Sequence, residues 1–312
     1  MKKWIMRCVI FCCVVAVMAV FVGCKKSEGK KVFKVGYVNN SDSLLFNKIT
    51  KDEFDKLAKN DVSIEVVFSN ANSDIQLQLD QIDNFVARKV DVIITAPIDY
   101  DGIVPGIEKA NEANIPILSL GTEAGGGDFI FIGTVYYQDG EMQGKYMAEH
   151  LPKDADILYL SCVPGQSYSR ERRQAFLDIM ESRPDVTILA EQTGMDQRAN
   201  GMQIMEDWLQ AFPKIDAVIA ANDPMALGAI EAMKGAGRLS GVLVAGVDAI
   251  PEALTAIKNG EMAMTVFQSA PALAKAAFDV VKKLQNGETV ERRVLIPNEL
   301  VTVDNVDQIS GN

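Results

Sequence analysis

Most of the side chains that could do chemistry in this chain stand directly after short apolar runs. The polar positions that follow those runs are Asn39 to Asp42, Asn70, Thr122 and Glu123, Gln166 to Arg172, Gln192 to Asp196, Asn222 and Asp223, Asp248, and Gln268. Amides, hydroxyls and carboxylates suit the hydroxyls of a neutral polar molecule, because each hydroxyl both donates and accepts a hydrogen bond. The same residue types also cap helix N-termini, which is the competing interpretation for any single one of them.

The segment Ser169-Arg170-Glu171-Arg172-Arg173 opens a predicted amphipathic helix with three arginines in its first turn. The positive end of the helix dipole lies there, so a cation is unfavourable unless something compensates it. An arginine aimed at a ligand, or at a carboxylate across a cleft, would account for the pattern. A solvated surface run is the alternative.

The sequence contains few of the residues that enzyme active sites require. The chain holds one histidine, His150, so a Ser-His-Asp triad would have to use that residue, and a metal site with two or more histidines cannot form. The first predicted strand is not followed by G-x-G-x-x-G, and the glycine cluster 125–127 lacks the G-K-[ST] of a phosphate-binding loop. Cys162 has no histidine beside it to activate it. We therefore expect a protein that binds without reacting, with no cofactor and no catalytic residue.

The elements that must hold these residues alternate regularly. Short apolar runs predict strands, and the longer amphipathic runs between them have the apolar spacing of helices. The predicted strands are 33–38, 63–69, 91–96, 115–120, 129–133, 156–161, 186–190, 217–221, 242–247, 262–267 and 293–296. Such βα repeats predict doubly wound parallel α/β sheets, whose ligands bind beyond the carboxyl ends of the strands. Similar units that open at 89–96 and 214–221 indicate two lobes of like topology.

The first 31 residues have the pattern of an export signal and a tether. Three basic residues precede the uncharged apolar run 8–22, which is short for a membrane span but suits a signal peptide. The end of the run, Phe21-Val22-Gly23-Cys24, resembles a bacterial lipoprotein signal, in which the cysteine is lipidated. We expect a signal over 1–23 and a lipidated tether over 24–31 that holds the body to a membrane outside the cytoplasm. An uncleaved N-terminal anchor is the alternative.

The net charge argues against nucleic-acid partners, and the cysteine content argues against disulfide bonds in the body of the protein. The 312 residues include 31 basic and 42 acidic ones, a formal charge of −11, and loss of the three basic residues of the signal would leave −14. Nucleic-acid binding rests on clustered Lys and Arg, so no nucleic-acid partner is expected. Of the five cysteines only Cys162 lies beyond Cys24, so the body is expected to have no internal disulfide.

From residue 32 to about residue 303 the chain resembles the periplasmic sugar-binding proteins of ABC transporters, in the ribose and glucose/galactose-binding family. The stretches that carry the resemblance are Leu79-Asp80-Gln81-Ile82-Asp83 with Val90-Asp91-Val92-Ile93, Asn114-Ile115-Pro116-Ile117, Ser169-Arg170-Glu171-Arg172, Asn222-Asp223-Pro224-Met225-Ala226-Leu227-Gly228-Ala229, and Gly246-Val247-Asp248-Ala249-Ile250-Pro251-Glu252-Ala253. The resemblance implies the type I periplasmic binding protein fold, an α/β fold of two similar doubly wound parallel-sheet lobes joined by a three-strand hinge. It assigns 32–134 with 268–292 to an N-terminal lobe and 135–267 with 293–312 to a C-terminal lobe.

The resemblance also implies ten ligand-binding residues. Those that match the family's ligand groups directly are Phe46, which would stack on an apolar sugar face, Arg172, Asn222, Asp248 and Gln268. The others are Asp42 in the first loop, Thr122 beside the Gly121 that replaces an Asp or Asn, Gln166 and Tyr168 at hexose-contact positions, and Asp196 in place of an aromatic. The lost aromatic and the added carboxylate imply a more polar or amino-bearing ligand, or a polyol, with Tyr168 as a replacement stack. The acidic calcium loop of glucose/galactose binders is absent from 134–143, so no metal is expected.

The function implied by the resemblance is that of a substrate-binding lipoprotein of an ABC transporter. It would capture a sugar, polyol or amino sugar between two closing lobes, as a monomer, and deliver it to the permease. The alternative is a sensory protein that presents a chemotactic or quorum signal with the same fold. A repressor of this fold would need a helix-turn-helix where the predicted export signal stands.

Overall fold

A computed structural model describes residues 32–309, so the predicted signal 1–23 and Cys24 lie outside the described residues. The strands are β1 (Phe33–Asn39), β2 (Ile64–Asn70), β3 (Val92–Thr95), β4 (Ile117–Leu120), β5 (Ile130–Gly133), β6 (Asp156–Ser161), β7 (Thr187–Thr193), β8 (Ala217–Ala220), β9 (Leu243–Ala245), β10 (Thr265–Phe267), β11 (Arg293–Leu295) and β12 (Glu299–Val301). The helices are α1 (Leu45–Lys59), α2 (Ile75–Ala87), α3 (Val104–Glu112), α4 (Tyr136–His150), α5 (Ser167–Met180), α6 (Arg198–Ala211), α7 (Asp223–Gly235), α8 (Pro251–Lys258), α9 (Ala270–Gln285) and α10 (Val306–Ile309). Within 32–309, no helix has the length and apolar character of a membrane span.

The first sheet has six parallel strands in the order β11-β5-β4-β3-β1-β2. Consecutive residues of β3 face opposite sides of it. Val92 and Ile94 pack against the side covered by α1 and α9, whereas Ile93 packs against the side covered by α2 and α3. All three are fully buried, as expected of a parallel strand with helices on both faces.

The second sheet is built in the same way. Strands β7-β6-β8-β9 are parallel, and one core cluster joins them to helices α4 to α8. Strand β10 continues the sheet, because the N–H groups of Gly246 and Asp248 donate to the carbonyls of Met264 and Val266 at 3.1 and 2.8 Å. Strand β12 then pairs with β10 in antiparallel orientation. The two parallel sheets with their helical layers confirm the predicted α/β fold of two similar lobes.

The chain passes between the sheets three times, at 134–135, 268–269 and 296–298. The third crossing lies later than predicted. Strand β11 pairs with β5, with Leu295 opposite Gly133, so 293–295 belong to the first sheet and not to the second lobe. Strand β12, which was not predicted, is the first element of the second lobe after this crossing. A three-residue strand carries no local pattern that says which sheet it joins, because its partner is distant in sequence.

Candidate ligand-binding cleft

A cleft lies between the lobes, at the carboxyl ends of strands β4, β8, β9 and β10. Its empty space is about 560 Å³, with solvent at its mouth included. The lining residues are Leu44, Leu45, Phe46, Asn47, Gly121, Thr122, Tyr136, Tyr168, Arg172, Asp196, Asn222, Pro224, Asp248 and Gln268. The first six come from the N-terminal lobe, the next seven from the C-terminal lobe, and the last from a crossing. A molecule held here would touch both lobes and the hinge.

Eight of the ten sequence-predicted ligand residues line this cleft, and Asp42 and Gln166 do not. The Asp42 carboxylate is occupied elsewhere, since it accepts hydrogen bonds from Asn39 Nδ2 and Lys51 Nζ, each at 2.7 Å. Gln166 is 3 % exposed and lies in a separate groove with Cys162. Both follow strands, as predicted, but neither lines the space between the lobes.

Arg172 is a buried and oriented donor at the cleft, with 4 % of its surface exposed. Its Nε donates to Asp139 Oδ2 at 2.9 Å, and its Nη1 donates to the carbonyl of Ala221 at 2.8 Å. Nη2 lies 3.9 Å from Asp248 Oδ1. Burial disfavours the charged guanidinium, but Asp139 and Asp248 outweigh burial and raise the pKa of Arg172. Helix α5 begins at Ser167, two residues earlier than predicted, so Arg172 lies in its second turn and not in its first. It is compensated by carboxylates and is not a solvated surface residue.

The carboxylate of Asp248 is presented by a strained backbone. Its φ is 118°, a region that residues other than glycine rarely adopt, and its N–H is held by the carbonyl of Val266 at 2.8 Å. Beneath it, Asp223 is fully buried and accepts the hydroxyl hydrogen of Thr265 at 2.7 Å. Burial raises the pKa of both carboxyls. In the described part of the chain, no three side chains of His, Cys, Asp or Glu are arranged to hold a metal ion.

Aromatic rings from both lobes line the cleft. Phe46 belongs to α1 of the N-terminal lobe, and Tyr136 and Tyr168 belong to α4 and α5 of the other lobe. The two tyrosine rings meet edge to face, with 6.0 Å between their centroids and an angle of 65°. The Tyr168 hydroxyl donates to the Asp196 carboxylate. Phe46 and Tyr168 thus offer apolar surface to a ligand from opposite lobes.

Two amides of the cleft are already engaged within the protein. Asn222 caps α7, because its Oδ1 accepts from the Met225 N–H at 3.1 Å, and its Nδ2 donates to the Asp196 carbonyl at 3.3 Å. Gln268 donates through Nε2 to Thr134 Oγ1 at 3.0 Å and to Asp139 Oδ2 at 2.5 Å. The capping interpretation of a strand-end asparagine is thus correct for Asn222, which lines the cleft as well.

Tyr136 is a cleft residue that sequence reasoning missed. It is 3 % exposed, and its hydroxyl finds no hydrogen-bond partner among the described residues. A signal was present, because Tyr136 follows the predicted strand 129–133 as the other candidates follow theirs. The sequence analysis also missed Leu44, Leu45 and Asn47, before and within the first turn of α1. The two leucines have the pattern of ordinary core packing, and Asn47 lies inside a helix and not directly after a strand.

The two lobes touch each other beside the cleft. The Tyr100 N–H of the N-terminal lobe donates to the Gly165 carbonyl at 3.0 Å, and the Glu123 N–H donates to Ser167 Oγ at 3.2 Å. Gly165 has a φ of 85°, and a Cβ there would lie 2.2 Å from Asp99 Oδ2 of the opposite lobe. The positive φ favours glycine here, and any larger residue would also require Asp99 to move. The lobes are therefore closed over the cleft.

Comparison with known proteins gives consistent matches over most of the chain. The family model described as periplasmic binding protein domain matches residues 35–289. The xylitol-binding protein of Mycolicibacterium smegmatis is 32 % identical over 261 residues, which cover 82 % of this chain and 74 % of that protein. The ribose import binding protein of Bacillus subtilis is 30 % identical, and the match covers 88 % of this chain and 89 % of that protein. An ABC transporter solute binding protein from Bacillus halodurans with bound myo-inositol is 33 % identical with a TM-score of 0.87, and the match covers 91 % of this chain and 99 % of that one.

Proposed function

The chain belongs to the periplasmic binding protein domain family, and from that premise we propose that it captures a sugar or polyol ring and delivers it to an ABC permease. The family consists of solute-binding proteins and not of enzymes. The relatives described above are named for, or contain, ribose, xylitol and myo-inositol, all of them small molecules with several hydroxyls. Capture from outside the cytoplasm is the role that this family serves.

The observation that carries the proposal is the placement of Arg172 and Asp248 at the base of a cleft between two lobes. A guanidinium offers only donors and a carboxylate only acceptors, so together they can satisfy neighbouring hydroxyls of one ring. Phe46 and Tyr168 supply the apolar surface that the C–H faces of such a ring require. Because a missing hydroxyl would leave a buried group unpaired, this arrangement selects among analogues.

The charges at the cleft favour a ring that carries an amine. Of the described residues that line it, Arg172 is the one cation, while Asp196 and Asp248 are carboxylates. Arg172 is also neutralised from below by Asp139. An ammonium group near Asp196 would replace the neutral contact that an aromatic residue gives at this position in the resembling family. We therefore include amino-substituted polyols in the ligand class, beside neutral ones.

We also propose that the protein acts at the cell envelope as a lipid-anchored monomer. Proteins of this family are exported. The support for an anchor is the sequence pattern at Cys24 after a short apolar run, and globomycin-sensitive processing with labelling by a palmitate analogue tests it. A Cys24→Ser variant that is still labelled would contradict the lipid assignment.

A thermal-shift screen of the protein against pentoses, hexoses, inositols, alditols and aminated inositols tests the ligand class, followed by calorimetry on the hits. We expect at least one polyhydroxylated ring to raise the melting temperature, because a ligand that binds only the folded state stabilises it by mass action. Arg172→Ala and Asp248→Ala should each remove that shift. The absence of any shift in the wild-type protein, with amino acids or peptides shifting it instead, would overturn the proposal.

A further inference from the structure

One carboxylate, that of Asp139, contacts two of the three crossings between the lobes and lies four residues after the first. It lies in the first full turn of α4, just after the first crossing, and is completely buried. Its Oδ2 accepts from Gln268 Nε2 of the second crossing at 2.5 Å, and its Oδ1 accepts from Asn298 Nδ2 of the third crossing at 2.6 Å.

The same two amides reach back to the first crossing. Gln268 Nε2 also donates to Thr134 Oγ1 at 3.0 Å, and Asn298 Nδ2 also donates to the Val135 carbonyl at 3.3 Å. The three chain segments are thus joined in one hydrogen-bonded network with Asp139 at its centre. Asn298 Oδ1 is buried without a partner among the described residues, so the network is held by the donors to the Asp139 carboxylate and by the two bonds to the first crossing. Bonds to a charged carboxylate are stronger than those between neutral groups.

Asp139 is joined to the cleft through Arg172. Its Oδ2 accepts from Arg172 Nε at 2.9 Å, while the Ala221 carbonyl accepts from Nη1 at 2.8 Å. These two bonds fix the plane of the guanidinium and leave Nη2 beside Asp248, which also lines the cleft. One carboxylate oxygen therefore sets both the orientation of the cleft arginine and the position of the second crossing.

We propose that Asp139 is a positioning residue that couples lobe closure to the ligand-facing arginine. This inference rests on the proposed function. When the crossings take the arrangement seen here, Gln268 and Asn298 complete the coordination of the carboxylate, and the carboxylate holds Arg172 in its cleft-facing orientation. When the lobes open and the crossings shift, Asp139 loses donors and Arg172 loses its fixed partner. The hinge and the site would thus change state together.

The test compares Asp139→Asn with the matched control Asp178→Asn. Asp178 lies on the neighbouring helix and accepts from Tyr137 Oη at 2.7 Å within one lobe, away from the crossings. Affinity is measured by calorimetry on the full chain with the best-binding polyol of the screen, and myo-inositol is the first probe. Asp139→Asn should lose about tenfold or more in affinity, because an amide cannot keep a charge-assisted bond to the arginine. The control should stay within about twofold of wild type.

Asn298→Ala tests whether the effect passes through the network, because the hydrogen bonds of Asn298 go to Val135 and Asp139 and it does not line the cleft. In the wild-type background it should weaken binding about threefold or more, and in the Asp139→Asn background it should have little further effect, as expected of residues that act through one network. Multiplicative effects of the two changes, or wild-type affinity in Asp139→Asn, would overturn the inference. If Asp139→Asn does not fold, Asn298→Ala alone decides, and unchanged affinity in it counts against the coupling.

A second measurement does not depend on the ligand class. Small-angle X-ray scattering of the ligand-free proteins should give a larger radius of gyration for Asp139→Asn and Asn298→Ala than for wild type and Asp178→Asn. If no polyol or sugar binds the wild-type protein, the proposed function fails while this comparison still tests the hinge network. Identical scattering of all four proteins would contradict it.

Discussion

The guanidinium of Arg170 lies over the ring of Tyr100, with its central carbon 4.6 Å from the ring centroid. Arg170 belongs to α5 of the C-terminal lobe, and Tyr100 belongs to a loop of the N-terminal lobe. Beside this pair, the Tyr100 N–H donates to the Gly165 carbonyl at 3.0 Å. The contact can exist only while the lobes are together, so its free energy belongs to the closed state alone.

Removing this contact should weaken ligand binding without harming the fold. A cation–π pair at an exposed site contributes about 0.5–1 kcal/mol, so Arg170→Ala should lower the affinity about two- to fivefold, mainly through faster dissociation. Arg173→Ala is the matched control, because Arg173 lies in the same helix but pairs with Glu191 of its own lobe at 2.6 Å. Stopped-flow dissociation rates check the prediction. Equal rates for the two variants would contradict it.

The unpartnered hydroxyl of Tyr136 gives a second prediction. Because this buried group has no partner among the described residues, removing it in Tyr136→Phe should leave the free energy of unfolding unchanged or slightly higher. If the hydroxyl pairs with a ligand hydroxyl, the same variant should lose about tenfold in affinity. Urea melts and calorimetry measure the two quantities. A loss of stability with unchanged affinity would show that Tyr136 serves packing only.

Much of this architecture could be predicted because the relevant signals are local. Strands such as 91–96 are apolar on both faces, and the structure has β3 (Val92–Thr95) buried on both sides. Eight of the ten predicted ligand residues line one cleft because parallel strands end at the same edge of their sheet. The triple arginine of α5 pointed to Arg172, although the predicted helix start was two residues late and places Arg172 in the second turn, where the dipole effect is weak.

The remainder depends on contacts between distant residues. Nothing near Asp139 in the sequence marks it as the partner of Gln268 and Asn298, which lie 129 and 159 residues away. The pairing of β11 with β5 likewise joins segments that are far apart in the chain. Asp42 and Gln166 follow strands as expected, yet the rotation of each side chain is set by neighbours that the sequence does not reveal.

Asp196 should decide between aminated and neutral ligands. Its carboxylate accepts from the Tyr168 hydroxyl and from the Val163 N–H at 3.3 Å, and it lines the cleft. Asp196→Asn keeps the shape but removes the charge, so the ratio of affinities for an aminated inositol and for myo-inositol should fall about tenfold. Tyr168→Phe, which leaves the carboxylate in place, is the control. A ratio that is the same in wild type and Asp196→Asn would rule out an ammonium contact at this residue.

The buried carboxyls predict that stability and affinity respond to pH in opposite directions. Burial raises the pKa of Asp139 to about 6 despite the bond from Arg172, and it raises the pKa of Asp223 and Asp248 as well. The charged groups that act on Asp139 from neighbouring elements are Arg172 and Glu171 of α5 and Asp248 after β9. A carboxyl with a raised pKa binds its proton more tightly in the folded state, so its stabilising contribution is complete below its ordinary value of 3.8 and is lost as the pH rises through about 6.

The free energy of unfolding should therefore increase as the pH falls from 7 to 5, by about 1 kcal/mol for Asp139. Over the same interval the affinity for a neutral polyol should fall, because protonated Asp139 no longer holds Arg172 as an ion pair. Urea melts and calorimetry at pH 7, 6 and 5 measure both trends, and myo-inositol, which does not titrate, avoids a contribution from the ligand. Asp139→Asn should show a weaker dependence of both quantities on pH than Asp178→Asn. Affinity and stability that decline together toward pH 5 would mean that general acid unfolding, and not the protonation of Asp139, governs the loss of binding.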